Sequence, residues 1–465
     1  MNKQIRTVSI VFAALFLLLV LNLSYIVMVQ GPDLRANPAN TRAVEEELSI
    51  QRGTITSSDG VLLAESRPTA TRFKRAYPKG ELAAHVIGYS SDKYQKAGLE
   101  QSYNSILLGK EDISFIDQLI NKFKKSEGKG NNLVLTLDSK IQEIAERDLK
   151  GKKGAVVALD PKTGAVIAMA SSPTYDPGTI DDSWKAISAD PNAPLVNRAT
   201  QGKYPPGSSF KVITSAAAIQ EKLFDPSSQF TDEGTLEVQT TKIRNYYGKT
   251  FGEVTFREAL ELSVNTVFAQ IGLKLGAQRL VDYTDKFGFN ETIEFDIPLA
   301  ESSTKNAATM DDVDVAWTAI GQAKTIATPM EMALAVSTIA NNGVLMKPYL
   351  VKEIRDPSGQ IIKQIDTRQI REVVSSSTAQ TVNDMMVGVV ENGTGTVVQI
   401  PGYKVAGKTG TAETGAEGVT HGWFVAFAPA DNPQIAIAVI VEQGGTGGES
   451  AGPIVHDILE QAIVK

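Results

Sequence analysis

Residues 8–29 decide where the rest of the chain can fold. From Thr7 to Pro32 there is no charged residue, and Val8 to Val29 is almost wholly apolar. A helix needs roughly 20 such residues to cross the hydrocarbon core of a bilayer. Lys3 and Arg6 precede the run. Positive residues favour the cytoplasmic side, so residues 1–7 read as a cytoplasmic tail, 8–29 as a membrane anchor, and everything beyond as extracytoplasmic. A cleaved secretory signal would have a shorter apolar region, about 7–15 residues, closed by small side chains. Here the run ends Ile-Val-Met-Val-Gln, and the reading is an uncleaved anchor.

The chain beyond the anchor is long enough for more than one domain, each with a real core. The formal net charge of −7 gives no sign of a nucleic-acid partner. The absence of cysteine excludes disulfides, thiol catalysis and cysteine-ligated metals. The three histidines, His85, His421 and His456, are far apart in sequence and lend no support to a metal centre or a serine–histidine triad. No cofactor is expected, and the base for any nucleophile should be a lysine or a carboxylate.

Residues 30–132 read as a first extracytoplasmic domain. Its segment 49–64, SIQRGTITSSDGVLLA, places two short β-type runs around a Ser-Asp-Gly turn, a hairpin signal. Residues 122–132, KFKKSEGKGNN, are rich in lysine and glycine and read as a junction. Residues 133–465 form the second domain, opening with a strand at 133–137 and a helix carrying Ile141, Ile144 and Leu149 on one side. Ala155–Leu159 and Ala165–Ala170 are apolar at most positions and flank Asp160-Pro-Lys-Thr-Gly164, an antiparallel hairpin covered on both faces. Helical patterns appear near 208–222, 256–273, 276–287 and 328–342, then strands at 422–429 and 435–443, and a helix at 451–463. Strands at the two ends with helices between predict an α/β arrangement in which distant segments share one sheet.

One short stretch inside that region asks for chemistry. Residues 204–211 read YPPGSSFK. On a helix, residues three apart are neighbours, whereas residues two apart point to nearly opposite sides. Ser208 can therefore reach the Lys211 amine and Ser209 cannot, and a lysine made neutral by burial could take the hydroxyl proton. A helix amino terminus also offers free N–H groups to an oxyanion. The bland alternative is a turn followed by the polar start of a buried helix, because Ser-x-x-Lys also occurs at Ser90/Lys93, Ser126/Lys129 and Ser302/Lys305.

Two further motifs separate the candidates. Ser-x-Asn appears at Ser102/Asn104 and Ser263/Asn265, and Lys-Thr-Gly at Lys162/Gly164 and Lys408/Gly410. In the upstream trio the first two serines are only 12 residues apart, with no room for a helical subdomain, and its Lys-Thr-Gly is a hairpin turn. In the downstream trio the spacings are 55 and 145 residues, Ser208 opens a strongly apolar helix, and VAGKTGTAE carries small residues beside the motif. Small side chains let a substrate backbone lie along a strand edge.

In this order the three motifs resemble those of the penicillin-recognising serine enzymes. Segments 51–64, 97–109, 135–142, 154–177, 197–211, 321–333 and 407–413 look like class B penicillin-binding proteins, most like the actinobacterial penicillin-binding protein A type. The resemblance implies a transpeptidase fold, α/β (α+β), with a central antiparallel sheet, helices on both faces and an all-helical subdomain, preceded by an elongated α+β pedestal. It implies that Ser208 attacks the carbonyl between two terminal D-alanines of a cell-wall stem peptide, with Lys211 as proton acceptor. Ser263 would relay the proton, and Asn265 would hold the substrate amide. Lys408 would supply charge for the terminal carboxylate, with Thr409 and Thr411 hydrogen-bonding it beside Gly410. The oxyanion would lie between the N–H groups of Ser208 and Thr411. An amine on a neighbouring strand would then take the acyl group and cross-link peptidoglycan, and β-lactams would acylate the same serine. The family also implies a membrane-embedded glycan polymerase as partner, reached through anchor and pedestal.

Other readings stay open at this level. A β-lactamase of the same fold needs a carboxylate to activate water, and Glu301 with Asn306 has the wrong spacing for the usual loop. A D,D-carboxypeptidase differs only in using water as acceptor. A non-catalytic scaffold could keep the motifs. Arg52 and Glu100 read as a structural ion pair, and His421 and Trp423 as packing or rim residues.

Overall fold

A computed structural model describes residues 3–26, 45, 47–110, 128–415 and 418–464. Residues 1–2 of the tail, 27–29 of the anchor, 30–44, 46 and 111–127 of the pedestal segment, including part of the junction, lie outside the described residues. Helix α1, Lys3–Tyr25, is the one described helix long and apolar enough to cross a membrane, and none of it is buried against the rest of the chain.

The hairpin expected at 49–64 is present. Strands β1 (Ile55–Thr56) and β2 (Leu62–Pro68) pair antiparallel with Ile55 opposite Ala64. Strand β3 (Phe73–Ala76) extends the sheet beyond β2, and β4 (Asn132–Leu135) lies parallel to β1 on the other side. This sheet also takes strands from far along the chain. With β12 (Val351–Arg355) and β13 (Ile361–Gln364) its order is β13-β12-β4-β1-β2-β3. The strand anticipated at 133–137 is thus shorter, stops where Asp138 caps the next helix, and bridges the two halves of the molecule.

The second sheet unites the two ends of the later region. Its strands are β5 (Gly154–Leu159), β6 (Val166–Ser172), β15 (Ala406–Glu413), β16 (Thr420–Ala428) and β17 (Ile435–Val441). The order is β15-β16-β17-β5-β6, antiparallel throughout, with Ala438 opposite Val157. Alternate residues of one strand face opposite sides of a sheet. Ala155, Val157, Val425 and Phe427 join one core cluster together with Met330 and Leu334 of α6 (Pro329–Ala340). Val156, Ala158, Phe424 and Ala426 join another, with Ile141 of α2 (Ser139–Leu149) and Ile458 of α8 (Gly452–Ile463). Both faces are covered, which is why both registers of these strands are apolar.

The stretch between the sheet's two ends departs from its mainly helical expectation. Helix α3 is Lys211–Gln220, preceded by a 3₁₀ turn at Gly207–Phe210. The continuous helix expected at 256–273 is broken. Helix α4 (Phe256–Glu261) is opened by a Thr255/Glu258 capping box, and α5 (Asn265–Lys286) starts afresh after Ser263, whose φ is +60°. Gly276 (φ +77°) then kinks α5 where two separate helices were expected. Two ribbons also emerge here. Strand β7 (Gln229–Asp232) pairs with β10 (Gly252–Thr255), and β8 (Thr235–Val238) with β9 (Thr241–Arg244). A further ribbon joins β11 (Val344–Met346) and β14 (Gln369–Glu372), followed by α7 (Ser376–Glu391).

Candidate active site

The question of the two serines is answered by backbone geometry. Gly207 has φ +55°, and a Cβ there would lie 2.5 Å from the Thr411 carbonyl oxygen, so only glycine lets the turn come this close to β15. The Gly207 N–H donates to Gly321 O at 2.9 Å and pins the loop from the other side. The next turn of chain is 3₁₀, in which residues three apart eclipse. Ser208 and Lys211 are therefore more nearly in line than on the α-helix anticipated from the sequence. Ser209 is fully buried and its Oγ donates to Pro206 O at 2.6 Å. Ser208 is partly exposed, lines a deep cleft, and its hydroxyl makes no hydrogen bond among the described residues.

The direct Ser208–Lys211 hydrogen bond expected from the spacing is not formed. The Lys211 amine instead donates to Ser263 O at 2.8 Å and Asn265 Oδ1 at 2.7 Å, with Ser263 Oγ at 3.2 Å. The reason lies in α5: its restart after the left-handed Ser263 turns one backbone carbonyl and the Asn265 amide toward the lysine. Lys211 is fully buried, with its Nζ 5.1 Å from the centre of the Phe268 ring. Burial, with the Lys408 ammonium as a smaller second cause, holds its pKa well below the ordinary lysine value. A neutral amine has two N–H donors and one lone pair. The two close acceptors take the donors, which leaves the lone pair for a hydroxyl proton.

Lys408 closes the far side. It is fully buried on β15, and its Nζ donates to Ser263 Oγ at 2.9 Å and Thr409 O at 3.0 Å. Burial brings its pKa down to about 7. Ser263 Oγ thus lies between two lysine nitrogens, a continuous path for a proton. Strand β15 is an edge of its sheet, and on it Thr409 and Thr411 line the cleft. Gly410 faces the other way, where a Cβ would stand 2.8 Å from Trp423 Cβ and 3.0 Å from Pro206 O. The downstream trio is gathered at one cleft of about 660 Å³. Members of the upstream trio serve structure: Asn104 accepts from Arg52, and Gly164 ends the β5–β6 turn. Glu301 does not line the cleft; it accepts from the Thr292 hydroxyl.

Several contributors were not found from sequence. Thr394 shares a 2.6 Å hydrogen bond with Thr409 through their hydroxyls. The only hint was the Gly393-Thr394-Gly395 run. The first residues of α5 are held by a buried network. Asn245 Oδ1 accepts from Thr266 N at 3.2 Å, capping a helix whose own N-cap, Val264, has no side-chain acceptor. Asn245 Nδ2 donates to Asp232 at 2.8 and 2.9 Å, and Asp232 also accepts from Thr266 Oγ1, Gly234 N and Phe251 N. Asn265 Nδ2 donates to Arg244 O at 2.9 Å. Trp423 is fully buried and its Nε1 donates to Pro205 O at 2.9 Å, steadying the serine loop. His421 packs edge-on to Tyr204.

Comparison with known proteins agrees with this arrangement. Residues 154–460 match the penicillin binding protein transpeptidase domain, and residues 52–133 the penicillin binding protein A dimerisation domain. The chain is 36% identical over 491 aligned residues to a peptidoglycan D,D-transpeptidase PbpA of Mycolicibacterium smegmatis, covering 100% of this chain and 99% of that protein. A penicillin G acyl-enzyme complex of penicillin-binding protein A from M. tuberculosis superposes with a TM-score of 0.83 at 35% identity, covering 90% of this chain and 100% of that one. A D,D-transpeptidase domain from Eggerthella lenta gives 0.81 at 37% identity, covering 89% of this chain and 98% of that one.

Proposed function

Because this chain belongs to the penicillin-binding protein transpeptidase family, we propose that it is a peptidoglycan D,D-transpeptidase that works through an acyl-enzyme on Ser208. The observation that carries the assignment of residues is the state of Lys211. It is fully buried with no carboxylate partner among the described residues, its N–H donors are spoken for, and it sits one 3₁₀ turn from a cleft-facing serine.

In this reading Ser208 Oγ attacks the carbonyl carbon between the two terminal D-alanines while Lys211 takes its proton. The oxyanion is received by the N–H groups of Ser208 and Thr411, a placement supported by the close approach of residues 207–209 to residues 410–412. The C–N bond breaks, and the proton passes from Lys211 through Ser263 to the leaving D-alanine nitrogen. An amine from a neighbouring stem then attacks the ester, returns a proton by the same path, and leaves a cross-link with Ser208 restored. Lys408, Thr409 and Thr411 hold the terminal carboxylate, while Asn265 orients the substrate amide beside its bond to Lys211. A β-lactam completes the first half only, because its leaving nitrogen stays tethered to the acyl group.

The apolar helix α1 supports a single-pass anchor with residues 1–7 in the cytoplasm and the catalytic region outside. Residues 30–132 would then act as a pedestal and 133–465 as the transpeptidase unit, with β4, β12 and β13 tying one to the other. Anchor and pedestal are the surfaces through which a membrane glycan polymerase would be met.

The test is an intact-mass time course of the detergent-solubilised full chain with benzylpenicillin, beside Ser208→Ala and Ser209→Ala. A single long-lived adduct, lost only in Ser208→Ala, is the expected result. An adduct that persists in Ser208→Ala overturns the nucleophile, and rapid turnover to hydrolysed drug overturns the transpeptidase reading in favour of a β-lactamase.

A further inference from the structure

The cleft has a charge layout that the reaction as described leaves unused. Thr409, Thr411 and Glu413 alternate along β15 and all three line the cleft. Glu413 is exposed, and its side chain makes no hydrogen bond or ion pair among the described residues. The cleft is also lined by Lys242 and Arg244 of β9 and by Lys249 of the segment after it, all exposed and none in an ion pair among the described residues. Among the described residues lining the cleft, Glu413 is the sole carboxylate.

Resting on the function proposed above, the register of the donor peptide is set by strand geometry. Its terminal carboxylate lies at Thr409 and Thr411, and its scissile carbonyl at Ser208. A peptide added to the β15 edge repeats about every 6.6–6.8 Å for two residues, the same step that separates Thr411 from Glu413. The chain preceding the two D-alanines therefore runs toward Glu413, and the residue just before them comes level with it. In peptidoglycan that residue is a diamino acid. Its side-chain amine is the acceptor in cross-linking, and every stem can serve in either role, so a donor stem also carries this amine, protonated when it is not reacting. Lys242, Arg244 and Lys249 repel that ammonium, and the buried Lys408 offers it nothing. Glu413 is where it can be neutralised. We propose that Glu413 is a specificity-determining residue that binds the side-chain ammonium of the donor stem's diamino acid, so that the enzyme prefers as donors stems that are not yet cross-linked or acylated at that amine.

The experiment compares release of D-alanine by the detergent-solubilised full chain from two donors. Both are stem pentapeptides ending in D-Ala-D-Ala with lysine at the third position, one with a free Nε and one Nε-acetylated, with one common acceptor amine. At low salt the wild-type kcat/KM should favour the free amine by about two- to fivefold, the size of a partly exposed ion pair. High salt should erase the preference. Glu413→Gln should bring the ratio to about 1, and Glu413→Lys below it. A wild-type ratio of 1 at low salt, or a Glu413→Gln ratio equal to that of wild type, overturns the inference. If benzylpenicillin still acylates Ser208 while the ratio is 1, only the ammonium site falls and the transpeptidase reading stands. If there is neither a penicillin adduct nor D-alanine release, both fall.

Discussion

Two regions of the molecule bury charge, and they do so in opposite ways. In the pedestal, the fully buried Glu100 lies between two guanidinium groups, Arg52 and Arg75. Burial pushes its pKa up, but Arg75 and Arg52 outweigh burial and hold it below the ordinary carboxylate value. In the cleft, Lys211 and Lys408 are just as buried, but neither has a carboxylate within reach among the described residues, and both pKa values fall. Opposite charges buried together keep their charge and fix a shape. Like charges buried together without a counter-ion give up a proton, and what remains is a base. The same desolvation cost thus makes a rivet in one place and a reagent in the other.

Removing the counter-ion from the rivet should have the largest effect. Glu100→Gln leaves Arg52 and Arg75 buried without a compensating charge, a change of roughly 3–5 kcal/mol. The expected outcome is a marked fall in the denaturant midpoint of the full chain. The slope against pH sharpens the contrast. A carboxylate whose folded pKa is depressed contributes stability that is complete above its unfolded value of 4.5 and is lost as pH falls through the folded value. For Lys408 the unfolded chain holds its proton up to 10.5 and the folded one only to about 7. Stability from that lysine therefore rises with pH between these two values and is absent below them. Glu100→Gln should flatten the acid side of the stability profile and leave the alkaline side as it was. A midpoint within error of wild type would show that the pedestal pair is not a rivet.

How much of this was legible depended on how local each contact is. Ser208 and Lys211 are three residues apart, so spacing excluded Ser209, and the order and context of the other two motifs then selected this pair over the three other Ser-x-x-Lys runs. The turn proved to be 3₁₀ because Gly207 must pass close to Thr411, a constraint set by a strand about two hundred residues later. Lys408 and Ser263 could be matched only through the order of their motifs, since no local pattern says that two lysines will share one hydroxyl. Strands β5, β6, β16 and β17 were legible because both of their faces are buried. The ribbons formed by β7–β10 were not: β7 alternates exposed with buried residues, and β8 and β9 exposed with half-buried or buried ones, over only four positions each, too short to show a period. Asp232, Asn245 and Thr394 reach the site through tertiary contacts and carry no motif of their own.

The reagent half of the comparison can be probed without mutating it. On the proposed mechanism catalysis requires Lys211 neutral and, for carboxylate binding, Lys408 charged. With the Lys408 pKa at about 7 in the free enzyme, kcat/KM for a D-Ala-D-Ala donor should fall on the alkaline side from near neutrality, about tenfold per pH unit. The acid limb should report Lys211, whose pKa burial holds well below the ordinary lysine value. Lys408→Arg, which stays charged, should lose the alkaline limb whatever its absolute rate. A wild-type profile still flat about two units above neutrality would mean that the buried lysine keeps its proton, and the contrast with the pedestal would collapse.

The smallest effect should come from a carboxylate that belongs to neither class. Asp232 is buried without a cation among the described residues, and burial pushes its pKa up, yet the hydrogen bonds from Thr266, Phe251, Gly234 and Asn245 outweigh that and hold it below the ordinary carboxylate value. Through Asn245 it caps α5 from outside, at the helix end that presents Asn265 to Lys211. A lost cap is worth about 1 kcal/mol, or roughly fivefold. Asp232→Asn should therefore slow penicillin acylation by about fivefold in its first-order step, while the concentration for half-saturation changes little, because the cleft wall itself is intact. Asp232→Asn sets two amides against each other; exchanging the pair, Asp232→Asn with Asn245→Asp, restores a donor facing an acceptor, keeps an acceptor for Thr266 N, and should recover part of the rate, the Asn245 bond to Lys249 O being lost. A general loosening of the fold would not be rescued by the exchange and would raise the half-saturating concentration as well. That pattern would remove Asp232 from the positioning of the site.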